Sequence, residues 1–423
     1  MAQAVRAAGY GMTSVLLGVS LKARGWSSGQ VGALLAAVLA GTALASIVVG
    51  RYANRIGRRR LYAALFVGLA AAGVVFGLTT AFWALFVAAL AGTLSTDVVE
   101  SGPFTSLEQA MLPATTSPTR RTRAFGAYNA VAAVAGSLGA LAAGLPGLFS
   151  RNAIGSTAGR QWFLVLVPIG VIGAVIASRL SPAVESSAAT PAPESPATLP
   201  GIESAATASA TTPVRPPAAG PGAKPPRPLE RSRSTVARLA ALFAVDSFAG
   251  GFAVQAFIAY WLSVKFGASV ELVAVVFFGV GILQSLSFLV ASRLADRFGL
   301  LNTMVFTHLP SNVLLAAIPL APTLTLAIVV VLARFALSQM DVPTRQAYVA
   351  ALVDPDERPA AAAYTNTARY VVRPAGAALA GVAQRAAFGL PFAISGGIKI
   401  VYDLALFAWF RRVRLPEDMP SRG

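Results

Sequence analysis

The chain has 423 residues, 56% of them hydrophobic and only 12% charged, with a formal net charge of +17. A soluble globular domain carries about 25% charged residues, so this composition, with a mean hydropathy of +0.66, excludes an ordinary soluble fold and points to a polytopic membrane protein. Cysteine is absent and His308 is the single histidine, which excludes a disulfide framework, a thiolate metal site and a histidine-based metal centre; no metal or cofactor is expected.

A spanning helix needs about 20 mostly apolar residues. On that basis the sequence predicts an all-α protein with twelve spans, at 3–21, 29–50, 61–79, 83–106, 124–148, 161–180, 236–262, 270–291, 302–321, 323–345, 361–384 and 388–410. The first span is expected to serve as its own insertion signal. Arg51, Arg55, Arg58, Arg59 and Arg60 follow span 2, Arg120, Arg121 and Arg123 follow span 4, and Arg411, Arg412 and Arg414 follow span 12. Cytoplasmic loops are rich in Lys and Arg, so both termini and these loops are expected to face the cytoplasm of a cell membrane. The positive charge serves topology and the lipid bilayer; with no basic face on a soluble domain, no nucleic-acid partner is expected. Residues 181–234 are rich in Pro, Ala, Ser and Thr and lack apolar periodicity. They are expected to be a disordered cytoplasmic linker between an N-terminal six-helix half (1–180) and a C-terminal half (235–411), with 412–423 as a tail.

The two halves repeat. Asn54-Arg55-Ile56-Gly57 matches Asp296-Arg297-Phe298-Gly299 at a spacing of 242 residues. At a spacing of 237, Glu108-Gln109-Ala110 falls opposite Arg345-Gln346-Ala347, Asn129 opposite Asn366, Gly139 opposite Gly376 and Gly144 opposite Gly381. Duplicated six-helix halves are a transporter architecture, with the site near the midplane where the halves meet.

The basic stretch from Gly50 to Arg60 resembles the loop signature between the second and third helices of the major facilitator superfamily, and Ser292–Gly299 resembles the copy between the eighth and ninth. The stretches Gly102–Ala110 and Met340–Ala347 are similar to less-studied prokaryotic members, mostly presumed exporters. The first loop has Asn54 where the family has Asp, Ala88 and Ala89 occupy the neighbourhood of the fourth-helix Arg of many proton antiporters, and the fifth-helix Gly-Pro signature is only echoed by Gly136, Gly139 and Gly144. The resemblance implies helices 1, 4, 7 and 10 lining a central cavity, with 2, 5, 8 and 11 beside them.

An ionisable residue inside a span costs about 2.5–3.5 kcal/mol on insertion scales and is therefore a functional candidate. The candidates are Arg6, Asp97, Glu100, Asp246, Arg334, Asp341, Arg369 and Arg373. Asp97 and Glu100 are expected on one helix face, as are Arg369 and Arg373. Across the repeat, Arg6 falls opposite Asp246 and Asp97 opposite Arg334, with opposite charge each time. The resemblance turns most of these charges toward one cavity. Asp97 and Asp246 are the candidate proton carriers, because a low-dielectric cavity favours a neutral carboxyl; interhelical ion pairing is the competing reading. Tyr10, Tyr128, Asn129, Gln255, Gln339 and Asn366 can add hydrogen bonds there. His308 is expected to be structural. The gate residues are Gly50, Arg51, Asn54, Arg55, Gly57, Arg58 and Glu108 on one side and Arg293, Asp296, Arg297 and Gly299 on the other. Glu108 is expected to meet the arginine cluster, and Asp296 to make the stronger lock.

No GxxxxGK[ST] stretch is present, so ATP-driven transport is not expected, and nothing marks an enzyme. The resemblance implies secondary active transport by alternating access, with protons and a small-molecule substrate, in a monomer. Proton-coupled export is the leading expectation. Uptake of an organic anion, suggested by Arg369 and Arg373, and a non-transporting receptor or scaffold stay open.

Overall fold

A computed structural model describes residues 2–97, 102–111, 121–145, 160–181, 184–185, 229, 231–353 and 357–413. All the regular structure among the described residues is helical, with no strand among them. In chain order the helices are α1 (Ala2–Ala23), α2 (Ser28–Ile56), α3 (Arg58–Leu78), α4 (Phe82–Leu90), α5 (Pro103–Met111), α6 (Arg121–Ala142), a 3-10 turn (Trp162–Val165) leading into α7 (Leu166–Ser178), α8 (Arg233–Phe252), α9 (Gln255–Phe266), α10 (Val270–Phe298), α11 (Leu300–Ala317), α12 (Leu324–Ser338), α13 (Asp341–Leu352), α14 (Arg358–Ala386) and α15 (Leu390–Phe410). Among the described residues, eight helical stretches are long and apolar enough to cross a membrane. Most of the expected linker lies outside the described residues, as does the tail from 414.

Three of the expected continuous spans are broken. The expected span 83–106 is α4 and α5, and the described residues between them, 91–97 and 102, are not helical. Gly92 starts the break at φ 73°, packed so tightly that a Cβ there would stand 2.1 Å from the Gly41 carbonyl oxygen. The Ser95 hydroxyl then donates to the Asp97 carbonyl (2.8 Å) and accepts from the Asp97 amide (3.1 Å), replacing helical bonds with local ones. The expected span 236–262 is α8 and α9, broken at Ala253–Val254, and 323–345 is α12 and α13, broken at Gln339–Met340. Hydropathy detects composition, and a break buried against protein leaves composition unchanged.

The repeat is visible in the packing. A Cβ on Gly139 (α6) would stand 1.9 Å from the Ala8 carbonyl oxygen (α1), and one on Gly376 (α14) 2.0 Å from that of Phe248 (α8). These contacts occupy repeat-equivalent places, and each brings two backbones together inside one half. Contacts between the halves gather at the end of the molecule that carries the α1–α2 turn. There α2 meets α14, a Cβ on Gly32 lying 2.5 Å from the Gly381 Cα. Lys22 Nζ donates to the Ser263 carbonyl (2.6 Å) and Gln384 Nε2 to that of Ser28 (3.1 Å). The halves are closed together at the end that carries the α1–α2 turn.

Candidate functional site

Three groups of buried charge lie inside the bundle. The first belongs to the N-terminal half. Arg6 on α1 grips Glu108 on α5 through both guanidinium edges, Nη2 to Oε2 at 2.8 Å and Nε to Oε1 at 3.2 Å. The same carboxylate accepts from the Tyr62 hydroxyl (2.5 Å) and from that of Tyr128. The rings of Tyr10 and Phe104 lie 5.2 and 5.7 Å from the guanidinium carbon, so the cation is also covered by aromatic faces. Every strong acceptor direction of Glu108 is filled. This corrects the placement of Glu108 with the loop arginines, because α5 points it inward to Arg6.

The second group joins the halves. Asp97, on the irregular segment between α4 and α5, accepts from Arg373 Nη2 on α14 at 2.5 Å and from the Gln255 amide at 3.0 Å. One residue earlier, the Thr96 carbonyl accepts from the Ala256 amide at 3.0 Å. The break between α8 and α9 leaves the first amides of α9 without intrahelical partners. Thr96 and Asp97 satisfy two of them, and the carboxylate also sits where the helix dipole favours negative charge. Asp97 is thus an N-terminal cap supplied by the opposite half. It does not share a helix face with Glu100, since it is not on a helix; Glu100 itself lies outside the described residues.

The third group is in the C-terminal half. Asp246 on α8 takes a hydrogen bond from Lys399 Nζ on α15, with His308 Nε2 (α11) at 3.9 Å and Arg369 Nη2 (α14) at 4.0 Å. Behind it, Asp403 on α15 is wholly buried, bonded to His308 Nδ1 and to Asn312 Nδ2, both at 2.8 Å. Asp341 and Arg345 pair along α13 at 2.5 Å. Arg369 and Arg373 therefore diverge to separate carboxylates and do not form a fork together.

Arg334 on α12 is buried, its guanidinium 4.4 Å from the Phe335 ring. Among the described residues its Nε and Nη1 have no hydrogen-bond partner. The repeat-equivalent charges Arg6 and Asp246, or Asp97 and Arg334, do not bond to one another. Gln339 sits half-buried at the α12–α13 break and Asn366 is exposed on α14. The side chains of Asn129 and Asn54 lie outside the described residues.

In the first loop Gly57 turns the chain at φ 99° and Gly299 does so in the second at φ 83°. Glu185 accepts from the Arg58 and Arg59 amides at 2.7 and 3.0 Å, capping α3, and Arg58 Nη1 reaches the Val184 carbonyl at 3.3 Å. Gly50, Arg51, Arg55, Arg293 and Arg297 are exposed. Asp296 is exposed too and has no ion-pair partner among the described residues, so the expected stronger second-half lock is not formed in this conformation. The acid that anchors a gate loop is Glu185, from the start of the linker. The expectations also missed Lys399 and Asp403, which carry charge on an otherwise apolar helix, the same signal that singled out Asp246.

The Major Facilitator Superfamily profile matches residues 1–245 and 239–423. The membrane protein YJR124C of Saccharomyces cerevisiae is 26% identical over 412 residues, covering 96% of this chain and 92% of the yeast protein. Among solved structures, a bacterial homologue of the human lysosomal transporter Spinster, inward-facing and occupied, is similar over 100% of this chain and 98% of its own, at TM-score 0.71 and 16% identity. A D-xylose–proton symporter matches at TM-score 0.68 and 13% identity over 99% and 97% of the two chains. The nucleoside transporter NupG matches at 0.67 and 13% over 97% of each. These identities speak to the fold. With a family match over both halves, the chain belongs to the Major Facilitator Superfamily and is an all-α, multi-pass membrane protein with the fold of its transporters.

Proposed function

We propose that this chain is a secondary active transporter that moves a small organic molecule by alternating access, with protons as the coupling ion and export as the direction. The observation that carries the reading is the junction at Asp97. It joins the two halves through Arg373 and the amide of Gln255. A junction of that kind is made in one conformation and must be broken in the other, so its free energy sets the balance between them. The basic loops and tail support a cytoplasmic position for the termini and for the α2–α3 and α10–α11 turns; on that reading the halves are closed together on the outer side of the membrane. The chain works as a monomer, with residues 181–234 tethering halves 1–180 and 235–411. The export direction rests on the likeness of 102–110 and 340–347 to presumed exporters.

A second reading, uptake of an organic anion with protons, is favoured by Arg334. Two of its guanidinium nitrogens are buried without acceptors among the described residues, and a carboxylate or phosphate of a substrate would supply them. Proteoliposomes given an imposed pH gradient and a panel of labelled organic acids, amines and neutral solutes separate the readings. Solute leaving vesicles against inward proton flow supports export, and proton-driven accumulation of acids alone supports the second. No solute movement and no counterflow across the panel refutes transport.

A further inference from the structure

The cluster behind Asp246 is larger than interhelical pairing requires. We propose that His308, bracketed by Asp246 and Asp403, is a proton-binding site. Its part in coupling rests on the transporter reading above, whereas its protonation is a property of the folded chain.

Each ring nitrogen of His308 faces a carboxylate, Nδ1 at 2.8 Å from Asp403 Oδ1 and Nε2 at 3.9 Å from Asp246 Oδ1. A neutral imidazole has one donor nitrogen, and an imidazolium has two. The short side is therefore a made hydrogen bond, and the long side lies beyond hydrogen-bond range. Asn312 Nδ2 donates to Asp403 Oδ2 at 2.8 Å, which pins the carboxylate and through it the ring. Tyr402 stands edge-on to the imidazole at 6.0 Å.

Around the ring stand three carboxylates and four cations. Asp246, Asp403 and Asp341 are matched by Lys399 on α15, Arg369 on α14 and Arg345 on α13. Arg334 on α12 is the further cation acting on Asp246. A proton taken from water onto Nε2 forms one N–H bond and breaks none in the protein. The imidazolium then donates to both carboxylates, and Asp246 turns from its cations toward the ring. Arg369, whose side chain is 27% exposed, links this cluster toward solvent. Arg369 is also one helical turn from Arg373, which holds Asp97. Loading His308 thus loosens Arg369 and is felt one turn away at the junction between the halves.

Because the chain has a single histidine, the test is site-specific. The full-length protein is purified on a histidine-free affinity tag, labelled with 15N-histidine and placed in lipid nanodiscs. The imidazole nitrogens are then followed by NMR from about pH 8 to about pH 5.5, the range where imidazole protonation is accessible. The expected result is a neutral ring protonated at Nδ1 at the upper end and a doubly protonated ring at the lower end. Asp403→Asn should cut the doubly protonated fraction at the lower end several-fold. A wild-type ring held in one state throughout overturns the proposal, even if vesicles transport solute with a pH gradient. A ring that titrates in a protein moving no solute upholds the site and removes the transporter reading.

Discussion

Asp97→Asn removes charge with little change of shape. In the structure it costs the Arg373 interaction its ionic character, at a contact of 2.5 Å, and weakens the cap on the Gln255 amide, at 3.0 Å. Removing one partner of a fully buried pair costs about 3–5 kcal/mol, mostly because the remaining charge is left uncompensated. Here the side chain of Arg373 is 24% exposed and that of Asp97 12%, so water recovers part of that loss. About 2 kcal/mol is the appropriate magnitude, equivalent to a roughly 30-fold shift between two conformations. The loss falls only on the state in which the junction is made. Since the chain has no cysteine, spin labels can be introduced directly at Thr80→Cys and Pro322→Cys, exposed turn positions in the two halves at the closed end. Electron–electron distance measurements should show a second, longer population in Asp97→Asn. Arg373→Gln should do the same, and the double substitution should cost less than the sum of the two single ones. An unchanged distance distribution in a properly folded Asp97→Asn protein would refute the assignment of this junction as a conformational lock.

Glu108→Gln should lower thermal stability by about 3–5 kcal/mol, because Arg6 stays buried without its counter-charge; a melting curve within a degree of wild type would contradict the description of that cluster. Gly32→Leu should leave each half folded but separate α2 from α14, since a Cβ there already falls 2.5 Å from the Gly381 Cα; the same spin-label pair should report the separation, with helicity unchanged by circular dichroism. Arg334→Met should raise the melting temperature, by about 1–4 kcal/mol of stability, because it replaces a desolvated cation with an apolar side chain of similar length. On the anion-uptake reading it should also abolish acid accumulation in proteoliposomes, and a loss of stability would show that Arg334 has acceptors in the resting protein.

The repeat was legible because it is written in residue identity. Gly139 and Gly376 align in sequence and make the same backbone contact in the structure, and Gly144 and Gly381 both face the other half. The breaks in the spans were not legible, because their cause is distant. The α8–α9 break is stabilised by Thr96 and Asp97, more than 150 residues away in the chain, and hydropathy carries no such term. The charge census found that the buried residues could neutralise one another but not which pairs form. Glu108 was misplaced because only the fold of α5 decides whether it faces the loop or Arg6. Lys399 and Asp403 were passed over because the family resemblance set helices 1, 4, 7 and 10 around the cavity with 2, 5, 8 and 11 beside them, and theirs is the twelfth span. That same expectation made His308 a structural residue.

The cap on α9 has one further consequence. If the halves part as the alternating-access proposal requires, the hydrogen bonds from the Gln255 and Ala256 amides to Asp97 and Thr96 are broken. No intrahelical carbonyl can replace these acceptors, because the two amides belong to the first turn. Bare amides in a dry interior cost several kcal/mol. Parting the halves at this point is therefore also a wetting step, in which water must arrive as the peptide groups separate. On the alternating-access proposal, the pace of that change is set in part by how readily solvent reaches these amides.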